Sequence, residues 1–172
     1  MTYPRTPKLW FSAICLLFLM GAALADTRRD PPSDSRELDQ IFQRSTLQIA
    51  TPDARLHRFN IWLADDETRR ARGLMFVKHL NAGDAMLFVY PQPQMIAMWM
   101  KNTFIPLDML FVAADGKVMK VVANTEPQSL KTIESDSDVT AVIELNGGTA
   151  SKLRIAKGAR VMHAAFASQP PK

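Results

Sequence analysis

The chain has 172 residues, 47% of them apolar and 22% charged, with a formal net charge of +4. This provides ample material for the core of one domain. The basic side chains form no stripe interleaved with aromatic residues, which argues against a nucleic-acid partner.

The N-terminal residues have the pattern of a secretory signal peptide. Arg5 and Lys8 precede an apolar run from Leu9 to Leu24, which ends in the small-residue pattern around Ala25. We therefore predict that residues 1–25 are a signal, cut before residue 26, and that the protein is periplasmic or secreted. Cleavage would leave 19 basic and 17 acidic residues, lower the net charge to +2 and leave no membrane span in the mature chain.

Two alternatives concern the same segment. The apolar run is close to the lower limit of about 18 residues for spanning a bilayer, so an uncleaved inner-membrane anchor is the less favoured alternative. Lipid attachment at Cys15 is disfavoured because Ile14 before it is bulky and the apolar run continues past it. Cys15 is the only cysteine, so a cleaved chain would have no disulfide, thiol nucleophile or thiolate metal site.

Composition divides the remaining chain into three parts. Residues 26–45 are rich in charge and turn formers and predict a flexible leader, with one marginal helical turn that brings Leu38 and Phe42 together. Residues 46–165 carry the strand patterns and form the predicted domain. Residues 166–172 predict a disordered tail.

Short strands dominate the predicted domain. Residues 56–64 alternate between apolar and polar positions, which indicates a half-buried strand. Residues 85–90 and 107–113 are apolar on both faces and predict buried strands. Pro91 and Pro93 are expected to end the first of these. Further strands are predicted at 95–100, 117–123, 139–145 and 160–164.

One short helix is predicted from residue 65 to Arg72, closed by Gly73. Two acid–arginine pairs within it have the i,i+4 spacing of surface ion pairs: Asp65 with Arg69, and Asp66 with Arg70. Arg72 has no acid at helical spacing and is expected to meet another part of the molecule. Seven or more strands and one short helix predict a mainly β fold, a single compact β-sandwich or barrel-like domain.

The segment from Trp99 to Asp108 is the most particular in composition. Pro106 prevents the preceding strand from continuing, so Asn102 and Thr103 are predicted to form a turn. Asp108 shares a strand face with apolar residues, where its carboxylate needs a cation or several N–H donors. The partners available in the sequence are Arg72, Lys101 and the turn backbone.

Glu144 repeats this pattern on a later strand, just before a glycine turn. Asp108 and Glu144, with Arg72 and Lys101 nearby, could form an acid/base pair or bind a polar ligand. The alternative is that both carboxylates hydrogen-bond turn backbones and fix the strand connections. No other catalytic motif is present, so a hydrolase or lyase would use Asp108 or Glu144 as general base.

A copper site is a further alternative. Met95, Met98 and Met100 lie beside Trp99, and soft thioether sulfurs suit Cu(I). Met98 and Met100 would share one strand face. Methionine is also an ordinary core residue, and we predict no metal or other cofactor as the main interpretation.

Five blocks of sequence resemble the family called domain of unknown function 192. They are R-x-R-G-L-M at 70–75, A-M-L-F at 85–88, W-M-K-N-T-x-I-P-L-D at 99–108, D-G-K-V at 115–118 and I-E-L at 143–145. The resemblance covers roughly residues 49–161 and implies a compact, mostly β domain with one short helix, often exported in bacteria. Its recurrent polar positions correspond here to Arg72, Trp99, Lys101, Asn102, Thr103, Asp108 and Glu144.

The chain departs from the family pattern at two positions. Arg69 stands where members often carry an acid, and Met98 stands where another large apolar residue is common. The sequence therefore predicts an exported β-domain that binds a small polar ligand or an envelope protein at the recurrent polar positions.

Overall fold

The computed structural model describes Met1 and residues 35–166. The predicted signal peptide beyond Met1, residues 26–34 of the leader and residues 167–172 lie outside the described residues. The helices are α1 (Ser35–Ile41), α2 (Glu67–Arg72) and α3 (Thr149–Leu153), with a 3-10 turn at Ala164–Phe166. The strands are β1 (Gln43–Ala50), β2 (Leu56–Ala64), β3 (Asp84–Gln94), β4 (Ala97–Met98), β5 (Leu107–Val112), β6 (Val118–Val122), β7 (Ile133–Glu134), β8 (Val139–Asn146) and β9 (Arg160–Met162).

Seven strands form one sheet in the order β6-β5-β8-β3-β2-β1-β9. Only β2 and β3 run parallel, and the other neighbours are antiparallel. The two ends of the sheet meet where Lys117 bridges Arg160 and the Val161 N–H donates to the Gly116 carbonyl at 2.7 Å. The predicted mainly β, barrel-like fold is confirmed as a nearly closed sheet, and β4 and β7 form a separate two-stranded sheet.

The sheet has apolar clusters on both faces. We call them the first core, which includes Trp62, Met86 and Phe111, and the second core, which includes Leu87 and Ile143. Every residue of β5 is buried, and so is every residue of β8 except its last. These strands are apolar on both sides because each side faces a core.

The ordered region begins before the predicted domain. Residues 35–45, which the sequence assigns to the leader, form α1 and the start of β1. Leu38 and Phe42 are 1% and 4% exposed and belong to the first core. Their four-residue spacing places both on one face of the chain's helical turn, which packs against the sheet.

Two strands differ from their predicted limits. β3 continues through Pro91 and Pro93 to Gln94, so the prediction that these prolines end the strand is wrong. Its register with β8 shifts between Val89 and Gln94, and this irregularity accommodates residues that cannot donate a ladder hydrogen bond. The predicted strand at 95–100 is reduced to β4, which pairs with β7, a strand that the sequence did not predict. Within residues 35–166, no helix has both the length and the apolar character needed to cross a membrane.

Candidate functional site

A small pocket opens between α2 and the segment that follows β4. It has a volume of about 30 Å³, which is room for one or two water molecules. Its walls come from residues 70–75 and from Met98, Trp99, Lys101 and Thr103, with Phe88 and Glu144 contributed by the sheet. We call it the Glu144 pocket.

Glu144 lies in the middle of the sheet. On β8 it is paired with Met86 of β3 on one side and Met109 of β5 on the other, so its side chain leaves the same face as the first core. The residue is 4% exposed. Within residues 35–166, no hydrogen bond or ion pair reaches its carboxyl group. Burial raises the pKa of Glu144 to about 8, because the charged form loses its hydration without gaining a partner.

Arg72 at the end of α2 is held by three neighbours. Its guanidinium forms an ion pair with Glu37 of α1 at 2.7 Å and donates to the carbonyls of Gly73 and Met75. The sequence predicted that Arg72 meets another part of the molecule, with Asp108 or Glu144 as candidates. Its partner is instead Glu37, in the segment predicted to be a flexible leader. Arg72 therefore lines the pocket as a fixed cation, with 18% of its side chain exposed.

The other arginines of α2 differ from their predicted pairing. Asp65 and Arg69 form the expected ion pair at 2.9 Å. Asp66 pairs with Arg69 instead of Arg70, because Asp66 is the N-cap and its carboxylate turns toward the Arg69 N–H. Arg70 is free to turn inward, where it donates to the Val89 carbonyl at 2.9 Å.

Tyr90 links Arg70 to the pocket. The Arg70 guanidinium lies 5.0 Å from the centre of the Tyr90 ring, and the Tyr90 hydroxyl contacts the Met98 sulfur at 3.8 Å. Burial raises the pKa of Tyr90, and the nearby Glu144 carboxyl adds to the rise while Arg70 opposes it. Tyr90 thus connects Arg70 and Met98, which both line the pocket.

Lys101 and Trp99 form the mouth of the pocket. Trp99 is 51% exposed, and the Lys101 ammonium lies 5.2 Å from the centre of its ring. Among the described residues no carboxylate pairs with Lys101. Thr103 is buried, and its hydroxyl donates to the Lys101 carbonyl at 3.3 Å, which ties the turn together.

Sequence reasoning missed two further exposed aromatic residues, each of which directly follows a pocket-lining residue in the chain. Phe76 and Phe104 are 49% and 42% exposed and meet edge to face at 6.1 Å. Phe76 has φ +68° and Asn102 has φ +55°, and the Phe76 N–H donates to the Asn102 carbonyl at 2.8 Å. A phenylalanine in this region is strained, which is a feature common at functional sites.

Asp108 lies outside the Glu144 pocket. Its carboxylate is completely buried and accepts three backbone N–H groups: from Asn124 at 2.8 Å, Gly148 at 3.0 Å and Ala150 at 2.7 Å. It therefore joins β5 to the loop after β6 and to the start of α3. Asp108 therefore hydrogen-bonds turn backbones and fixes the strand connections, which was the alternative to a functional role for both carboxylates.

The two carboxylates leave opposite faces of the sheet. Asp108 pairs with Leu145 in the β5–β8 register, and Met109 pairs with Glu144. Side chains alternate between faces along a strand, so the one-residue offset sends Asp108 to the second core and Glu144 to the first. The expectation that they form one acid/base pair with Arg72 and Lys101 is therefore not met, and Asn102 also lies outside the residues that line the pocket.

The three methionines of the copper alternative have separate surroundings. Met95 is 54% exposed, whereas Met100 is 1% exposed with its sulfur 3.1 Å from the Thr125 hydroxyl. β4 ends at Met98, so Met98 and Met100 do not share a face of one strand. Copper binding by these residues stays an alternative to the main prediction, which names no cofactor.

A serine–histidine contact also emerges from the fold. His163 Nε2 lies 3.1 Å from the Ser45 hydroxyl, 118 positions apart in the chain. However, His163 Nδ1 accepts the Ala165 N–H at 3.1 Å, so in a neutral imidazole the proton is on Nε2. This nitrogen then donates to Ser45 and cannot act as its base.

Three larger hollows, of about 640, 520 and 480 Å³, lie elsewhere on the described surface. Their charged side chains are exposed or already paired, as Lys120 is with Asp136 at 2.7 Å. The Glu144 pocket is smaller, but it contains a buried and unpaired titratable group. We therefore take it as the candidate site.

Comparison with known proteins agrees with the fold. The sequence matches the DUF192 family, described as an uncharacterised ACR, over residues 48–163. The chain belongs to the DUF192 family. This confirms the family resemblance drawn from the five sequence blocks. No curated protein matches the chain.

Two solved structures resemble this DUF192 protein. One is a candidate transcription regulator from Sinorhizobium meliloti 1021, with 35% identity, a TM-score of 0.71, and 72% of this chain and 96% of that chain covered. The other is a protein of unknown function from Novosphingobium aromaticivorans DSM 12444, with 34% identity, a TM-score of 0.69, and 71% and 86% covered. Both share the fold described above.

Proposed function

We propose that this protein binds a small polar ligand in the Glu144 pocket. The observation that carries the proposal is the buried Glu144 carboxyl, which has no hydrogen-bond or ion-pair partner among residues 35–166. Its oxygens reach the pocket, so a molecule that enters there can bond to them. A bound ligand would supply the missing partner.

The surroundings of Glu144 support a ligand in preference to an envelope protein. The Glu144 carboxyl lies in a concavity of about 30 Å³, which is too small to admit a backbone segment of a partner protein together with its side chain. Arg72 and Lys101 present donors around it. Arg72 is held in place by Glu37, so the site is arranged before the ligand arrives.

The test is thermal stabilisation by a chemically diverse set of small molecules, which includes organic acids, sugars, amino acids, amines and nucleotides. We expect at least one class to raise the Tm of the protein without residues 1–25. The same compound should lose its effect on Glu144→Leu, which removes the polar group and retains an apolar side chain of similar size.

The matched control is Glu134→Leu, a substitution at an exposed position of β7 that does not line the pocket. It should leave the stabilisation unchanged. If Glu144→Leu responds to every compound as the unsubstituted protein does, the pocket is not the binding site and the proposal fails.

Catalysis by Glu144 is a second candidate, favoured by its raised pKa of about 8. Groups that titrate near neutral pH in a pocket are typical general acids and bases. If the protein is a hydrolase or lyase, Glu144→Gln should abolish its activity, and a folded Asp108→Glu variant should retain it. Equal turnover by the unsubstituted protein and Glu144→Gln would exclude this candidate.

We also propose that the protein is exported, with cleavage after Ala25. The basic start and the apolar run before Ala25 support this. N-terminal sequencing of the protein recovered from the periplasmic fraction should begin at Asp26. Recovery with the membranes and an intact Met1 would instead favour the uncleaved anchor.

A further inference from the structure

The charges around the Glu144 pocket indicate the class of group that it would hold. Arg70, Arg72 and Lys101 all line it, and no carboxylate other than Glu144 does. Arg72 is paired with Glu37 and Arg70 is bonded to a carbonyl, but Lys101 has no pairing carboxylate in the described chain. A cationic ligand would be repelled here, and a neutral one would leave the Lys101 charge unused.

Glu144 strengthens this preference for an anion. At 4% exposure and without an ion pair among the described residues, its neutral form is favoured. A protonated carboxyl has one O–H to donate. An O–H···O⁻ bond to an anion is short and stronger than a bond between neutral groups. An anion beside Glu144 would also keep it protonated, since two adjacent carboxylates do not both ionise.

The size of the pocket and the residues at its mouth restrict the class of ligand further. A volume of about 30 Å³ accepts a group of very few atoms, such as the two oxygens of a carboxylate. The rest of the ligand would emerge past Trp99, whose ring is half exposed. Phe76 and Phe104 pack edge to face and adjoin the pocket through the lining residues Met75 and Thr103. A flat or apolar body could lie against these rings.

We propose that the Glu144 pocket holds the carboxylate of a small organic acid, with the flat or apolar body of that acid lying against Trp99. The inference rests on the proposed ligand-binding function. In this arrangement the protonated Glu144 donates an O–H···O⁻ hydrogen bond to the ligand carboxylate, and Lys101 supplies the second charge-assisted contact. Inorganic phosphate offers the same charge without an apolar body and is the competing anion.

The experiment is a titration of the uniformly ¹⁵N-labelled protein lacking residues 1–25, followed by amide chemical shifts. Sodium benzoate is the probe, benzamide is its neutral counterpart of nearly equal shape, and inorganic phosphate is the competing anion. We expect benzoate to shift the amides of Lys101, Thr103 and Glu144, with at least about a tenfold lower Kd than benzamide.

Three variants locate the contacts, and a fourth is the control. Lys101→Ala should weaken benzoate binding by about tenfold and leave benzamide binding nearly unchanged. Glu144→Gln retains an N–H donor and should lose no more than about threefold, whereas Glu144→Leu should lose at least about tenfold. Lys152→Ala on α3 removes an exposed lysine outside the pocket and should have no effect.

The outcomes separate the two proposals. If phosphate or benzamide binds at these amides as tightly as benzoate, the carboxylate inference is overturned while the pocket remains a ligand site. If a compound from the thermal screen shifts these amides and benzoate does not, the same conclusion holds. If no compound of the thermal screen raises the Tm and none of the three probes shifts these amides, both proposals are overturned.

Discussion

Asp108 and Glu144 represent two ways in which a strand can carry a buried carboxyl group. Asp108 accepts three backbone N–H groups, which replace the hydration that it loses on folding. Glu144 has no such donors among the described residues and is held in its neutral form by burial. The first arrangement stabilises the native state, and the second destabilises it once the group must ionise.

The raised pKa of Glu144 predicts a specific pH dependence of stability. Its ordinary value is 4.5 and its value in the native state is about 8, so between these values the unfolded state has released the proton that the native state retains. The contribution of Glu144 to stability is complete below pH 4.5 and is lost as the pH rises through about 8. Relative to Glu144→Gln, the free energy of unfolding should fall by up to about 1.4 kcal/mol per pH unit in this window.

Urea unfolding at pH 5, 6.5 and 8 measures this difference. Glu134→Gln on the exposed β7 strand is the control and should run parallel to the unsubstituted protein. A constant difference between Glu144→Gln and the unsubstituted protein at all three values would show that Glu144 has an ordinary pKa.

Asp108→Asn should destabilise the fold without changing the pocket. The amide group would place an NH₂ donor against backbone donors, and bonds to a charged acceptor contribute about 1.5–3 kcal/mol each. We expect a loss of roughly 2–4 kcal/mol in the free energy of unfolding, measured by urea denaturation. Benzoate titration of the folded variant should give the unsubstituted Kd.

The control for Asp108 is Asp138→Asn, which changes an exposed carboxylate before β8. It should alter stability by less than about 0.5 kcal/mol. If Asp108→Asn instead retained full stability and lost benzoate binding, Asp108 would belong to the site and not to the strand connections.

Helix α2 and its closing turn position two cations, Arg70 and Arg72, at the pocket. Gly73 ends the helix with φ +46°, and a Cβ at this position would lie 3.0 Å from the Phe88 ring. Arg72 turns away at this point toward Glu37 and the Met75 carbonyl. The end of the helix therefore determines both the pocket wall and the direction of the Arg72 side chain.

Gly73→Ala should cost about 1–3 kcal/mol of stability, because alanine is unfavourable at this φ and its methyl group crowds Phe88. Gly83→Ala is a matched control. Gly83 has no positive φ, and a Cβ there meets nothing within 4 Å. Thermal unfolding should show a lowered Tm for Gly73→Ala alone, and equal Tm values for both variants would contradict this account of the turn.

Helix α1 is part of the folded unit through Leu38, which is 1% exposed in the first core. Leu38→Ala should cost about 2–4 kcal/mol, as expected for a truncated core side chain. The exposed Gln40→Ala on the same helix should cost less than about 0.5 kcal/mol. Deletion of residues 1–45 should lower the Tm more than deletion of residues 1–34, and equal Tm values would place α1 outside the domain.

Across the whole molecule, much of the fold could be predicted from local pattern. β2 occupies the predicted range Leu56–Ala64, because its alternation of polar and apolar residues reflects one face in a core. β3 and β5 contain the two runs that are apolar on both faces, since each strand has a core on both faces. α2 lies between an acidic N-cap and a glycine, as its residues indicate.

The candidate site was less predictable. Its chain segments were identified, because Arg72, Trp99, Lys101, Thr103 and Glu144 all line one pocket. The separation of Asp108 from Glu144 depends on the β5–β8 register, which no local pattern specifies. The Arg72–Glu37 pair joins residues 35 positions apart and depends on where α1 packs.

The sequence alone was sufficient for the family, the mainly β class and most strand positions, because these follow from periodicity, turn residues and short motifs along the chain. The side of the sheet to which each carboxyl group points required the three-dimensional fold, because it depends on the register between strands that are distant in sequence. That register gives Asp108 three backbone donors and leaves Glu144 in the pocket without a partner among the described residues. The same residue type in the same kind of strand therefore has a structural role in one place and a proposed binding role in the other.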